Sequence, residues 1–333
     1  MHRLFERLEP GERERLRRRA RPEWTRPMLA TLVHDPFSRA GWIFERKLDG
    51  ERCLAFCSSS GARLRSRNRK DLGIHYPELE EALARQAGES MVLDGEVVAF
   101  KGSVTSFERL QARMQVSDPE KARHSGVAVY YYLFDILHLA GHDLTGLPLR
   151  ARKRVLRGAV RFRDPVRFTI HRNRDGEEFL RQACRKGWEG LIAKDASSGY
   201  VHRRSRDWLK FKCAHRQEFV IGGYTDPQGE RVGFGALLVG FHEDGELSYA
   251  GKVGTGYDDE TLARLGARLE RLERKTPPFA DRPREKGAHW VTPRLVGEVG
   301  FTEWTRGNRL RHPRFLGLRE DKDPKDVVRE RPE

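Results

Sequence analysis

The chain has few of the residues that would staple, anchor or repeat it. Only four cysteines occur in 333 residues, Cys53, Cys57, Cys184 and Cys213. None has the paired C-x-x-C spacing of a zinc ribbon or redox motif, so they read as reduced thiols rather than a disulfide framework or metal site. No apolar run approaches the ~20 residues that a membrane helix needs. The opening stretch, MHRLFERLEPGERERLRRRARPEW, lacks an apolar signal core, and a cytoplasmic protein is expected. No internal repeat of useful length is present, which excludes solenoids and propellers.

Charge is what the chain has in plenty. Lys and Arg number 64 against 49 acids, a net charge of +15 with a pI near 9.9. A field of that sign favours polyanions, because each neutralised phosphate releases condensed counterions. Hydrophobic residues still make up 38 %, enough for real cores, and the length suits two domains better than one.

Residues 1–24 read as a basic arm or short helix, in which Arg17, Arg18 and Arg19 could touch a nucleic-acid backbone. From 25 to 213 strands and helices mix. WIFERK, RCLAFC and ARLRSR are expected to be neighbouring strands, joined by turns at Asp49-Gly50 and Ser58–Gly61. MVLDGEVVAF reads as a strand pair or bent strand with a second Asp-Gly turn, VAVYYYLFDILHLAG is strand-rich, and GLIAKD and DWLKFKC are strands. Helical spacing appears in 76–86, 106–115, LRARKRVLRGAV and DGEEFLRQACRKG, the last ending on Gly187 as a C-cap. Antiparallel strands with interspersed helices predict an α+β domain. Residues 214–322 hold short strands, glycine-rich turns and one helix at 259–273, the pattern of a small all-β barrel of the OB type. The charged tail, 323–333, is expected to be partly disordered.

Chemistry is concentrated at a few strand ends. Period 2 places Glu45 and Lys47 on one face of WIFERK, with Arg46 on the other. A lysine leaving an apolar strand close to Arg52 is placed where desolvation and a nearby cation lower its pKa, and a neutral amine is a nucleophile. Glu96 and Glu189 follow or precede glycine on apolar strands, and two such carboxylates can hold Mg²⁺ with water and phosphate oxygens. Taken singly, a glutamate at a strand end is more often just solvated. Lys210 and Lys212 share one strand face, and Phe134 by itself belongs in a core.

The order of these pieces is more specific than any one of them. K-L-D-G-E-R at 47–52 resembles the signature of covalent nucleotidyltransferases, whose lysine attacks the α-phosphate of a nucleotide. The family's further motifs resemble, in order, S-R-N at 66–68, D-G-E at 94–96, F-D-I-L at 134–137, E-G-L-I-A-K at 189–194, W-L-K-F-K at 208–212 and R-E-D-K at 319–322. The resemblance implies an adenylation (nucleotidyltransferase) domain over 25–213 and an OB-fold domain over 214–322. It also implies roles for this chain's residues. Lys47 is the nucleophile, and Glu45 reads the adenine amino group while Phe134 stacks on the base. Arg52, Arg67, Lys194, Arg204 (with the adjacent Arg203 as its alternative), Lys210 and Lys212 contact phosphate or DNA. Glu96 and Glu189 hold the metal, and Arg319, Asp321 and Lys322 orient pyrophosphate from a mobile OB domain.

Within that superfamily the chain is similar to ATP-dependent DNA ligases. R-P-M-L-A-T at 26–31, S-F-E-R-L-Q-A-R-M-Q at 106–115 and F-T-E-W-T…L-R-H-P-R-F-L-G-L-R-E-D-K at 301–322 resemble the ligase module of bacterial ligase D. That enzyme's polymerase and phosphoesterase domains have no counterpart here, which suits a stand-alone ligase or one domain of a larger protein. The resemblance implies ATP and Mg²⁺ (or Mn²⁺) as cofactors and nicked or broken duplex DNA as substrate. It also implies nonhomologous end joining beside an end-binding repair protein or separate polymerase and nuclease proteins, by a monomer near the nucleoid with no membrane partner. The alternatives are an RNA ligase or capping-type nucleotidyltransferase, or a non-catalytic basic OB-fold DNA-binding module.

Overall fold

Alternation along the long strands builds the first half of the molecule. In the computed structural model, which describes residues 2–33, 35–86, 88–213, 215–227, 232–301, 303–305 and 307–330, the side chains of His215 and Glu303 are also left aside. On the strand Glu51–Ser58, Cys53, Ala55 and Cys57 enter one core while Leu54 and Phe56 enter another. Both faces of its sheet are therefore covered, and the strand reads as a near-continuous apolar run for that reason. The described residues divide after Cys213 into two compact units.

The first unit holds two main sheets. In one, the strands run Arg17–Arg18, His142–Asp143, Val129–Leu139, Met91–Lys101, Glu51–Ser58, Gly61–Ser66. In the other they run His171–Arg172, Trp42–Lys47, Gly190–Asp195, Arg204–Lys212, Leu29–Leu32. Pairing is mostly antiparallel, with parallel contacts at the margins. Helices Pro77–Ala84, Phe107–Met114, Leu149–Ala159 and Gly176–Arg185 lie within a few residues of the helical stretches expected from spacing. Gly187 has φ +69 just beyond the last of them, as a C-cap glycine should. The mixed architecture is α+β.

Four expectations need correction. Trp42–Lys47 and Glu51–Ser58 belong to different sheets, so Asp49-Gly50 is a crossover and no hairpin; only the Ser58–Gly61 turn joins paired strands. Asp94-Gly95 is not a turn either, because it lies inside the continuous strand Met91–Lys101. The apolar residues on both sides of the dipeptide outweigh its turn chemistry. The N-terminal segment does hold a short helix, Pro10–Arg13, but it is docked: Leu4, Phe5 and Leu8 are buried in the first core, and the backbone of Arg17–Arg18 pairs with His142–Asp143 while both side chains stay exposed. Finally, Cys184 and Cys213 form a disulfide, with Cα atoms 5.2 Å apart, while Cys53 and Cys57 are buried free thiols. Packing of the helix Gly176–Arg185 on the second sheet brings together two cysteines that sequence spacing could not pair.

The second unit has a sheet ordered Glu246–Val253, Leu237–Glu243, His215–Thr225, Ala288–Phe301, Glu273–Arg274, with Arg314–Leu318 also paired to Ala288–Phe301. The helix Asp259–Glu270, capped by the Asp258 side chain, adds Leu262, Leu265 and Leu269 to its core. The tail is more ordered than its charge suggested: Val327 is buried, and its carbonyl accepts from the His242 amide at 2.7 Å. Residues 331–333 lie outside the described set.

Candidate active site

Register in the second sheet assembles the site. Lys47 lies opposite Gly190, which lies opposite Lys212; Glu45 aligns with Ile192 and Lys210; Ile43 aligns with Lys194 and Trp208. Directly opposed residues share a face. Lys47, Glu45, Lys194, Lys210 and Lys212 therefore stand on one side of the sheet, while Phe44, Leu191, Ala193, Leu209 and Phe211 pack on the other against the helix Gly176–Arg185.

Across from them stands the first sheet, where two irregularities matter. The strand Val129–Leu139 slips register against Met91–Lys101 between Asp94 and Gly95 and again between Val92 and Leu93, leaving Phe134 and Leu137 without opposite residues. Such bulges re-aim side chains. Both residues join Leu54, Phe56, Tyr200 and Trp208 in the cluster between the sheets. Phe134 meets Trp208 edge to face at 6.0 Å, and the charged ends of Lys194 and Arg52 lie 4.2 and 4.7 Å from its ring centre.

Lys47 is not the neutral amine expected. Its Nζ lies 2.5 Å from Glu189 Oε1. Burial opposes the charge, but Glu189, with Asp49 and Glu96, holds the ammonium well above the ordinary lysine range. The neighbouring charges that matter are acids. Arg52 is instead occupied: Nε and Nη2 donate to the two oxygens of Asp94 at 2.6 Å each, and Nη2 also reaches the Met28 carbonyl at 3.1 Å. Asp94 is fully buried and accepts a third bond, 2.6 Å, from the Tyr200 hydroxyl.

A second buried pair of cations surrounds Glu45. Lys153 Nζ lies 2.5 Å from one oxygen and Lys194 Nζ 2.7 Å from the other. Burial would raise this carboxyl, yet the two lysines hold it below its ordinary value. Lys194 gives way in the other direction: burial pulls it down to about 8, with Lys153 adding to the fall and Glu45 opposing it. Gly190 makes the turn-out of Glu189 feasible. Its φ is +149, and a Cβ there would sit 1.9 Å from the Phe211 carbonyl oxygen, so no other residue fits.

The remaining candidates fall in both units. Arg67 lies half-buried in the turn after Gly61–Ser66, and Lys210 and Lys212 are half-buried on the site face. Arg204 is exposed and donates to the Ala30 carbonyl. Arg319, Asp321 and Lys322 form a separate cluster within the second unit. Arg319 grips both oxygens of Asp321 at 2.8–2.9 Å and approaches Glu298 at 3.5 Å, while Lys322 Nζ is 3.2 Å from Glu218. Sequence reasoning passed over Asp94, Tyr200 and Lys153. Asp94 carried a signal, since an acid within the apolar run MVLDGEVVAF must be paired if the strand is buried; Lys153, on the helix Leu149–Ala159, carried none.

The carboxylates acting on Lys47 are Glu189, Asp49 and Glu96, and Glu96 and Glu189 are the pair that the sequence suggested for a metal. Among the described residues no group of three His, Cys, Asp or Glu side chains converges. Two carboxylates completed by phosphate oxygens and water fit Mg²⁺, which seldom takes an all-protein cage.

Comparison with known proteins bears on this geometry. Residues 27–212 match the family model for the ATP dependent DNA ligase domain, and 230–322 the ATP dependent DNA ligase C terminal region. The chain is 41 % identical over 320 residues to the multifunctional non-homologous end joining protein LigD of Pseudomonas aeruginosa, covering 93 % of this chain and 37 % of that protein. It is 38 % identical over 314 residues to the LigD of Mycobacterium tuberculosis, covering 91 % and 40 %, and so spans about two fifths of either relative. DNA ligase 2 of Thermofilum pendens is 31 % identical over 348 residues, covering 91 % of this chain and 57 % of that one. Among solved structures, mycobacterial DNA ligase D complexed with ATP and MES superposes with a TM-score of 0.65 at 36 % identity, covering 92 % of this chain and 98 % of that one. The two units thus have the adenylation and OB-fold architecture of that structure.

Proposed function

The chain belongs to the ATP-dependent DNA ligases, and from that membership we propose that it seals 5′-phosphate/3′-hydroxyl breaks in DNA through a lysyl–AMP intermediate on Lys47. The supporting observation is the register that sets Lys47, Glu45, Lys194, Lys210 and Lys212 on one face. Residues 25–213 act as the adenylation domain and 214–322 as the OB-fold domain. The Lys47 ammonium first loses a proton. Its amine then attacks the α-phosphorus of ATP; the P–N bond forms as the bond to pyrophosphate breaks. A 5′-phosphate oxygen of the DNA next takes the AMP, freeing Lys47. The 3′-hydroxyl finally attacks that phosphate and AMP leaves.

Phosphoryl transfer of this kind needs mainly positioning and charge neutralisation. Phe134 supplies a platform for the base, Glu45 accepts from the adenine amino group, and Lys194, Lys210 and Lys212 neutralise the phosphates. Arg52, locked by Asp94, holds the floor of the site; Arg67 and Arg204 contact phosphate or DNA. Arg319, Asp321 and Lys322 orient pyrophosphate during the first step. Mg²⁺, or Mn²⁺, held by Glu96 and Glu189, would neutralise charge on the leaving oxygens. The relatives named for non-homologous end joining favour that pathway. The chain would act there as a monomer in the cytoplasm, beside an end-binding protein.

The test is direct. With α-labelled ATP and Mg²⁺, the wild-type protein should carry label through a denaturing gel and Lys47→Ala should not. Label persisting in Lys47→Ala refutes the intermediate. Sealing of nicked duplex should exceed sealing of nicked RNA, and joining of double-strand ends checks the pathway.

A further inference from the structure

The outer margin of the first sheet carries a set of arginines that the reaction does not use. On the edge strand Gly61–Ser66, Arg63 and Arg65 alternate with Leu64, which is buried in the first core. Arg63 lies opposite Phe56 and Arg65 opposite Leu54, and both partners pack in the same cluster as Phe134 and Trp208. The two arginines therefore stand on the site face. The following turn brings in Arg69, at φ +66, and the N-terminal segment brings in Arg21 and Glu23. Together with Phe56 these residues line a cavity of about 280 Å³.

Four guanidiniums share that lining with one carboxylate. Arg65 is answered by Asp71, Nη1 to Oδ2, at 2.9 Å. Arg21, Arg63 and Arg69 have no ion-pair partner among the described residues. Like charges held round one cavity repel, and an anion relieves that repulsion. Guanidinium forks match phosphate oxygens two at a time. By contrast, two guanidiniums of the Arg17–Arg19 run have partners: Arg17 donates to the Glu14 carbonyl at 2.8 Å, and Arg19 reaches Asp143 at 3.4 Å.

We infer that this arginine cavity is a docking site for the sugar–phosphate backbone of duplex DNA. It would hold the strand beyond the reacting end while Lys47 and its neighbours handle the break. The inference rests on the proposed ligation of DNA, since continuity with the Phe134 face is what selects duplex over free phosphate.

Binding of a nicked duplex to the full chain, in EDTA and without ATP, is measured across a salt series. The triple variant Arg21→Ala/Arg63→Ala/Arg69→Ala should bind about tenfold more weakly at low salt. Its slope of log affinity against log salt should be shallower by about 2, since each lost phosphate contact removes nearly one unit. Lysine at the same three positions should restore most of the slope, and Glu23→Gln should tighten binding. An unchanged slope in the triple alanine variant overturns the inference. Labelling by ATP, run in parallel, separates the claims. If the wild type takes no label, the lysyl–AMP reading fails while the salt slope still reads the cavity. If the triple variant loses label but keeps its slope, the cavity serves the nucleotide and the inference is wrong.

Discussion

Lys194 shows how much one buried side chain responds to its surroundings. An ordinary lysine keeps its proton to 10.5, but this one is held at about 8 by burial and by Lys153. Between pH 8 and 10.5 the unfolded chain binds a proton that the folded chain has shed, so stability rises with pH across that window. Below pH 8 the full cost of the buried charge is present. The effect on binding runs the other way, because a neutral amine no longer offsets phosphate charge. Apparent ATP affinity should fall about tenfold as pH climbs from 7 to 9, the scale of one charge-assisted contact. Lys194→Arg, which cannot titrate there, should remove the dependence. Equilibrium binding of ATP at several pH values decides it; a flat wild-type profile would exclude this role.

Among elements, the paired strands Gly190–Asp195 and Arg204–Lys212 link chemistry to packing at the end where Glu189 meets Cys213. Glu189 reaches Lys47, while the Glu189 carbonyl accepts from the Cys213 amide at 3.0 Å. Cys213 is bonded to Cys184, 29 residues earlier, at the last turn of Gly176–Arg185. A cross-link closing a loop of that length restricts the unfolded chain by about 3–4 kcal/mol on the chain-entropy model. Cys184→Ser/Cys213→Ser should lower unfolding free energy by that order in urea titrations. Added reductant should do the same to the wild type and nothing to the double variant. Elements also mark where local signals mislead. Two L-D-G-E stretches look alike, yet one crosses between sheets and the other runs straight through a strand. Their flanks decide: the first is followed by a change of sheet, the second by apolar residues that pair on both sides.

For the whole molecule, two units each keep a core of their own. The first, ending at Cys213, contains Lys47, Glu96 and Glu189, and the second contains Arg319, Asp321 and Lys322. A chain cut after Cys213 should therefore fold, unfold cooperatively, and lose label transfer from ATP by about a hundredfold or more, the scale of removing a positioning group. It should still close a nick whose 5′-phosphate is already adenylylated, only more slowly. Equal labelling by the cut and full chains would place the pyrophosphate contacts elsewhere. Much of this was legible in the chain itself. Period 2 put Glu45 with Lys47 and Lys210 with Lys212 on shared strand faces, as the register has them, and it requires no knowledge of partners. Tertiary structure alone decided the rest. It set the Lys47 ammonium against acids instead of Arg52, closed Asp94 on Arg52 and Tyr200, and brought Lys153 to Glu45 from 108 residues away. It also bulged Phe134 out of register and joined Cys184 to Cys213. Each of these depends on which strands become neighbours and which faces they bury, and sequence spacing carries no record of either.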